Sequence, residues 1–387
     1  MANLLEKASI ILTPTGYSNG TIHNLKPGSE PFGDCGKGGA TNATRINSSG
    51  IVEAVGAGLA RIDYEKGYGA ILLEPQVTNQ LKYSSFPDLS PWTRSGVAIS
   101  VQSDTSPNGS TNQGIRNIFR YSSSNTSGAF QTVSSGATGN GLAVSAWVRN
   151  PGSGTIEVWI GWGNIASGDG SFHTVGTSWQ KIKHESAAGV GSNTFHISPP
   201  VSTNVRVWGC QFEKTGNGKP GFVTSTITTG STTVTRGSEL INGGGGTALI
   251  NSPSGTMFFE GSMMFTGVNT FFGLTNSDKT QEVRVYGTPA GGISGRIITP
   301  AGAKYFGVGF QGSRVSNSKL AIKWDGVNIK AFLNGSLITT TTMNQAFGED
   351  VLDTIKFSDG QRFYGWIKQF IIFKEALSDV EIIALTT

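Results

Sequence analysis

The chain has 387 residues, which is enough for two or three domains of ordinary size. Only 14% of its residues are charged, against about 25% in an average soluble protein, and the formal net charge is +4. Positive charge this modest and scattered excludes the dense basic surface of a nucleic-acid binder, and a hydrophobic content of 37% excludes a disordered chain.

The first 42 residues predict an arm rather than a domain. Ala8–Pro14 predicts one short strand, and the Gly- and Pro-rich run after it has too few apolar residues to bury a core. The N-terminus lacks the basic stretch and apolar core of a signal peptide, and no apolar run reaches the ~20 residues of a membrane span. We therefore expect an arm that is ordered only against neighbouring chains, with a floppy terminus as the alternative.

Residues 43–79 predict short strands and turns without a helix. Arg61–Tyr64 alternates between polar and apolar residues, which is typical of a half-buried strand. Ile71–Leu73 forms a short apolar run that Pro75 ends, because proline cannot donate to a β-ladder.

Four runs within this stretch carry a more specific pattern: Ala43–Asn47, Gly50–Glu53, Arg61–Tyr64 and Leu72–Asn79. Together they resemble a leader of bacteriophage fibre and spike proteins, found in virion proteins of tailed phages. The resemblance implies that residues 1–82 dock the protein onto other virion proteins of the capsid or tail. It also implies self-association, as a homotrimer.

Residues 83–222 predict an antiparallel β-sandwich, because they hold many short alternating segments separated by Gly, Asn and Ser turns. The predicted strands include Trp92–Val101, Gly114–Tyr121, Leu142–Arg149, Thr155–Trp162 and Asn204–Phe212. The order of these segments resembles the carbohydrate-binding-module-like jelly roll that follows the leader in phage spikes.

Residues 223–246 predict an extended, Thr-rich connector. The connector ends in four glycines, Gly243 to Gly246, which we expect to form a hinge.

Residues 247–387 predict a second sandwich. Asp325-Gly326 and Asn334-Gly335 divide the stretch from Leu320 to Ile338 into a three-stranded meander, since both dipeptides permit the positive φ angles of type I′ turns. Phe363–Phe373 predicts a long strand, and Ser378 with Glu381 predicts a capping box that opens one short helix. This stretch is similar to concanavalin A-like (laminin-G-type) domains.

The sequence offers little catalytic chemistry. The histidines lie at no metal-ligand spacing, and the carboxylates are too far apart in sequence to suggest the pair that glycoside hydrolysis needs. Laminin-G-type relatives sometimes bind calcium near loops such as that of Asp325, but no acidic cluster supplies the roughly six to eight oxygens required. We expect no catalytic residue, no metal and no cofactor, and we expect Cys35 and Cys210 to be free thiols.

Glycan binding is the chemistry that the aromatic residues suggest. Trp159 lies on the opposite strand face from Val158 and Ile160, and Trp162 stands near Asn164 in a glycine-flanked turn. An exposed ring beside an amide suits a sugar, so Trp159, Trp162 and Asn164 are the candidate glycan-binding residues. The competing interpretation is that these tryptophans belong to the core.

The sequence as a whole indicates an all-β protein, with an N-terminal extended arm followed by two antiparallel β-sandwiches, a jelly roll and then a concanavalin A-like domain. The resemblances imply a non-enzymatic virion protein, made in the host cytoplasm, that displays these sandwiches to a host cell-surface glycan. We expect no nucleic-acid partner and no membrane insertion. The alternatives are a glycan-cleaving depolymerase spike and a secreted bacterial glycan-binding protein.

Overall fold

The computed structural model describes residues 2–26, 35–39, 41–85, 89–111, 114–133, 140–166, 168–186, 194–217, 221–264, 271–287, 292–310, 317–357 and 363–387. The predicted all-β class is confirmed, since β-strands form nearly all of its regular structure. Contacts divide the chain into two compact units. The C-terminal unit holds residues 1–40, 56–75 and 238–387, and the central unit holds residues 41–55 and 76–237.

Strands and helices are numbered in chain order across both units. The C-terminal unit contains α1 (Ala2–Lys7), β1 (Ala8–Leu12), a 3₁₀ turn (Pro14–Gly16), β2 (Tyr17–Ser18), β3 (Thr21–Ile22), β4 (Cys35–Gly39), β7 (Arg61–Asp63), β8 (Ala70–Leu73), β21 (Glu239–Asn242), β22 (Ser254–Met263), β23 (Phe271–Thr275), β24 (Glu282–Gly287), β25 (Gly292–Thr299), β26 (Gly302–Phe310), β27 (Ser318–Asp325), β28 (Asn328–Leu333), β29 (Ser336–Thr342), β30 (Thr354–Lys356), β31 (Gly365–Phe373) and α2 (Asp379–Thr386).

The central unit contains β5 (Ala43–Ile46), β6 (Val52–Val55), β9 (Val77–Asn79), β10 (Thr93–Ser95), β11 (Val97–Val101), β12 (Arg116–Arg120), β13 (Gly128–Thr132), β14 (Asn140–Arg149), β15 (Ile156–Trp162), β16 (Asp169–Val175), β17 (Gln180–Glu185), β18 (Thr194–Ser198), β19 (Thr203–Asn217) and β20 (Val234–Arg236).

The C-terminal unit is a sandwich of two antiparallel sheets. One sheet runs in the order β29-β28-β27-β22-β31-β8-β7, and the facing sheet runs β26-β25-β24-β23-β30. Apolar side chains from both sheets fill the space between them, and the rings of Phe259 and Phe272 stack with centroids 4.3 Å apart. Aromatic rings therefore make up part of this core.

The turns and helix predicted for this unit are largely confirmed. β27, β28 and β29 form the meander, and Asn334 and Gly335 both have positive φ, as a type I′ turn requires. At the other turn only Gly326 has positive φ, and it occupies the first central position, which is typical of type II′. Ser378 and Glu381 form the capping box of α2.

The N-terminal arm folds as part of the C-terminal unit. The expectation that the arm is ordered only by contact with neighbouring chains is therefore wrong. β1 pairs antiparallel with the second half of β31, while β8 pairs with its first half. Ile10 and Leu12 are buried in the core. The arm folds because its short apolar run completes a sheet within its own chain.

The leader segment contributes a buried charge cluster to the same unit. The Arg61 guanidinium donates to Glu74 Oε2 at 2.6 Å and, through Nε, to Glu239 Oε1 at 3.0 Å. All three side chains are almost wholly buried. The backbone N–H of Glu239 also donates to the Glu74 carbonyl at 3.1 Å, so this cluster joins β8 to the start of β21.

The central unit is also a sandwich of two antiparallel sheets. One sheet runs β10-β13-β18-β15-β16, and the other runs β11-β12-β19-β14-β17, with β9 and β20 added at β19. The hairpin of β5 and β6 belongs to this unit. Apolar residues alternate inward from both sheets into one core, as a sandwich requires.

The connector packs against the rest of the chain, and the four glycines that we expected to form a hinge are held by backbone hydrogen bonds. Ile227 is buried, and its N–H donates to the Gln211 side chain; β20 then pairs with β9. The four glycines all have positive φ, and the Gly246 N–H donates to the Asp353 carbonyl at 2.6 Å. Gly245 also forms an antiparallel bridge with Thr354, so these glycines are bonded to the segment that holds β30.

Candidate functional site

The structure places the predicted tryptophans in the interior. Trp162 is the last residue of β15, and its fully buried ring lies 4.8 Å from that of His184. Trp159 is 3% exposed and lies 5.1 Å from the His196 ring. The expected exposure of both rings is therefore wrong, and neither can serve as a sugar platform.

The reason for this burial is local. Trp159 does point to the opposite face from Val158 and Ile160, but two of the nearby residues, Gly161 and Gly170, are glycines. A Cβ added to Gly170 would come within 2.4 Å of the Trp159 ring, so the indole occupies the space that a side chain would take. Asn164 is half-buried, and its Oδ1 accepts from the Ala166 N–H at 2.9 Å, so it shapes its own turn.

A cleft at the edge of the central sandwich is a better candidate site. It has a volume of about 370 Å³ and is lined by Leu89, Ser90, Trp92, Arg94 and Ile99. β10 and β11 are edge strands of the two different sheets, so the cleft lies where the sandwich is open at its rim. Arg94 is opposite Ala129 and Ile99 is opposite Ile118, both fully buried, so both side chains leave their strands on the inward side.

Gly96 makes this edge possible. It links β10 to β11 with φ of +57°, a backbone conformation that residues other than glycine rarely adopt. A Cβ there would also come within 2.3 Å of Ser127 Oγ. The chain can therefore cross from one sheet to the other in a single residue, which places Arg94 and Ile99 on either side of the same opening.

The cleft combines an apolar wall with an exposed cation. The Trp92 indole N–H donates to the Tyr83 carbonyl at 3.2 Å, and its ring meets Phe195 edge-on at 5.7 Å. Arg94 is exposed, and within the described part of the chain it has no hydrogen bond or ion pair. A guanidinium beside aromatic and aliphatic surface can bind a planar anion while the wall packs against the apolar part of the ligand.

Sequence reasoning missed this cleft because it predicted Trp92–Val101 as one strand. A continuous strand would place Arg94 and Ile99 within a single sheet. The signal that could have divided it was Gly96, since an isolated glycine in a strand pattern marks a bulge or a break.

The opposite rim of the central sandwich is closed by hydrogen bonds. Ser171 Oγ lies 2.7 Å from His184 Nδ1, and His184 Nε2 lies 3.0 Å from Asp169 Oδ1. The order of groups is that of a serine–histidine–carboxylate triad. Here it connects β16 to β17, which are the edge strands of different sheets. The adjacent His173 has its pKa lowered by burial, which keeps it neutral near pH 7.

A cysteine that could be chemically reactive is buried in the core of the central unit. Cys210 is a free thiol, as predicted, and burial raises its pKa well above the usual value; the side chain of Cys35 lies outside the described residues. Among those residues no group of three or more His, Cys, Asp or Glu could hold a metal ion. The described helices are all too short or too polar to cross a bilayer.

The sequence matches no protein-family profile and no curated protein. Among solved structures, the chain is similar to the carbohydrate-binding module CBM40 of the Ruminococcus gnavus IT-sialidase, at 20% identity over 38% of this chain and 94% of that one, with a TM-score of 0.32. It is also similar to a leech intramolecular trans-sialidase, at 23% identity over 35% of this chain and 23% of that one (TM-score 0.28).

A third similar structure is domain 4 of AbnA, an extracellular arabinanase from Geobacillus stearothermophilus. The identity is 14% over 39% of this chain and 73% of that one, with a TM-score of 0.30. These likenesses extend over little more than a third of the chain, so the residues of the cleft must carry any functional argument.

Proposed function

We propose that the protein is a carbohydrate-binding protein whose sugar site is the cleft at β10 and β11. The observation that carries the proposal is the cleft itself, in which Leu89, Ile99 and the 7% of Trp92 that is exposed provide apolar surface and Arg94 and Ser90 provide polar groups. Its volume of about 370 Å³ falls within the usual range of small-molecule sites.

A sugar suits this combination better than a purely apolar ligand. The C–H face of a sugar ring packs against aromatic and aliphatic side chains, while its hydroxyl groups need donors and acceptors at the edge. Ser90 supplies a hydroxyl, and Arg94 supplies several N–H donors in a planar fork. The charge of Arg94 further favours a sugar that bears a carboxylate.

Isothermal titration calorimetry with galacturonic acid, N-acetylneuraminic acid and glucose tests the proposal. We expect the acidic sugars to bind and Arg94→Gln to weaken them about tenfold, because a charge-assisted hydrogen bond is lost. Lys82→Gln is the matched control, since it removes the same charge from an exposed residue outside the cleft lining. Absence of binding by the unmodified protein, or equal binding by Arg94→Gln, would overturn the proposal.

We propose, in addition, that this binding serves attachment of a tailed-phage appendage to its host. The resemblance of residues 43–79 to a fibre and spike leader supports this setting. Many weak sites on one particle would bind a glycan-coated surface tightly through multivalency. Immunogold microscopy of purified particles with an antibody to this chain should label capsids or tails, and light scattering should give a trimer.

The alternatives predict different results in the same experiments. A secreted bacterial glycan-binding protein would be found in culture medium and absent from particles. A glycan-cleaving spike would release new reducing ends from host capsular polysaccharide.

A further inference from the structure

Arg116 is a buried arginine on β12, the strand that pairs with β11 of the cleft. It lies opposite Val101, while Ile118, two residues further along β12, lies opposite Ile99 of the cleft lining. Ile118 is in the core, so Arg116 belongs to the same inward face of the sheet. Diagonal neighbours on one face of two paired strands lie about 7–8 Å apart, which places Arg116 next to Ile99.

The surroundings of Arg116 change from the core on one side to the rim of the sandwich on the other. Its partner on β19 is Val207, which is fully buried in the core. Its partner on β11 is Val101, which is 67% exposed although it lies on the inward face with Ile99. The facing sheet therefore does not cover Val101, and Arg116 lies where the core meets the open rim.

The guanidinium of Arg116 makes little use of its hydrogen-bonding groups within the described part of the chain. Arg116 is 6% exposed, yet its one hydrogen bond there runs from Nη1 to the Ile115 carbonyl at 3.3 Å, and its buried Nε has no acceptor. Among the same residues no carboxylate pairs with it. Burial lowers the pKa of Arg116, as expected for a cation that lacks a partner charge. A buried charge without such a partner is costly.

Arg120 shows what a structural arginine does on the same face of the same strand. It is 7% exposed, so its burial matches that of Arg116. Its guanidinium donates to four backbone carbonyls and one hydroxyl group, those of Ser122, Ser123, Ser124, Pro199 and Ser198. The two arginines thus differ in their acceptors, and the remaining N–H groups of Arg116 are available to a ligand.

We propose that Arg116 is the carboxylate-binding residue at the inner end of the cleft, so that an acidic sugar binds with its acid group turned inward. Since the cleft is the sugar site proposed above, this assignment rests on that proposed function. Arg94 is exposed, so water competes for its guanidinium. A carboxylate that reaches Arg116 is bound where water is largely excluded, and charge-assisted hydrogen bonds are stronger there. The sugar ring then packs against Leu89 and Ile99.

Isothermal titration calorimetry with galacturonic acid and galactose tests the proposal, because these sugars differ only in the carboxylate. We expect Arg116→Met to weaken galacturonic acid about a hundredfold, a larger loss than the tenfold loss expected for Arg94→Gln, and to leave any binding of galactose unchanged. Arg116→Lys should recover part of the affinity, since it keeps the charge but not the planar fork. Unchanged affinity of Arg116→Met for galacturonic acid would overturn the proposal.

NMR of the arginine side chains reads the site directly. The Nε–H signal of Arg116, assigned by its absence from Arg116→Met, should shift on titration with sodium acetate and not with sodium chloride at equal ionic strength. The signal of the hydrogen-bonded Arg120 should stay in place. A shift with acetate in a protein that binds no sugar would reject the proposed function and keep the anion site. A signal that moves with neither acetate nor galacturonic acid, while calorimetry shows galacturonic acid bound, would reject Arg116 as the anchor.

Thermal unfolding distinguishes loss of binding from loss of folding. Without ligand, Arg116→Met should melt at or above the temperature of the unmodified protein, because it removes a buried cation that has no partner charge. Arg120→Met is the matched control and should melt lower, because it leaves buried acceptors unpaired. If Arg116→Met melts as low as Arg120→Met, Arg116 serves the fold and the proposal is wrong.

Discussion

At the scale of single residues, the most consequential feature is the buried cluster of Arg61, Glu74 and Glu239. Taking three charged groups out of water is costly, and their mutual contacts help to offset that cost. The guanidinium donates to both carboxylates, and the Glu74 N–H also donates to Glu239 Oε2 at 3.1 Å. These residues belong to the leader and the connector.

Removing the positive charge of Arg61 should therefore strongly destabilise the folded protein. We predict that Arg61→Met lowers the free energy of unfolding by about 3–5 kcal/mol, because two buried carboxylates lose their partner. Urea denaturation followed by circular dichroism measures this loss. The triple variant Arg61→Met/Glu74→Gln/Glu239→Gln is the control, since it removes all three charges and should recover part of the stability. A single variant as stable as the unmodified protein would show that the cluster contributes little.

At the scale of elements, the sequence predicted those structures that local chemistry determines. The Asn334-Gly335 turn, the β31 strand and the Ser378 cap each depend on residues that are close together in sequence. The placement of β1, β8 and β21 depends on pairing with distant strands, and a short apolar run does not specify its partner. The burial of Trp159 was hidden for the same reason, because Gly170 lies on a neighbouring strand that only the ladder register reveals.

An ion pair between Lys7 of α1 and Glu381 of α2 connects the two short helices, and its titration can be measured. Lys7 Nζ lies 2.7 Å from Glu381 Oε1, and Glu381 also accepts from the side chain and backbone of Ser378. These contacts lower the pKa of Glu381 to about 2, with the Lys7 hydrogen bond as the largest cause. Because the folded pKa lies below the usual value of 4.5, this interaction favours folding above that pH and is lost as the pH falls towards 2.

We predict that Lys7→Gln raises the pKa of Glu381 back towards 4.5, and that Ser378→Ala raises it by less. Carbon-detected NMR titration of the Glu381 carboxyl measures both changes. Lys304→Gln makes the same change in net charge in the same unit and should leave this pKa where it is. A Glu381 that titrates near 4.5 in the unmodified protein would contradict the contact between α1 and α2.

At the scale of the whole molecule, the two units are built from alternating segments of the chain and not from two consecutive halves. The C-terminal unit draws on three separate segments, and the central unit interrupts it twice. A fragment with residues 238–387 alone would lack β1, β7 and β8, which leaves one side of β31 without its strand partners. A fragment with residues 76–237 lacks only the β5–β6 hairpin from its own unit.

The two fragments should therefore behave differently. We predict that residues 76–237 unfold cooperatively on heating, whereas residues 238–387 aggregate, because the apolar side chains that β1 and β8 cover become exposed. The control is a fusion of residues 1–75 to residues 238–387 through a short Gly-Ser linker. The Glu239 N–H already donates to the Glu74 carbonyl at 3.1 Å, so the ends to be joined lie side by side. Restored cooperative melting in this fusion would assign the arm to the unit, and a soluble, cooperatively folded 238–387 fragment would show that the arm is dispensable.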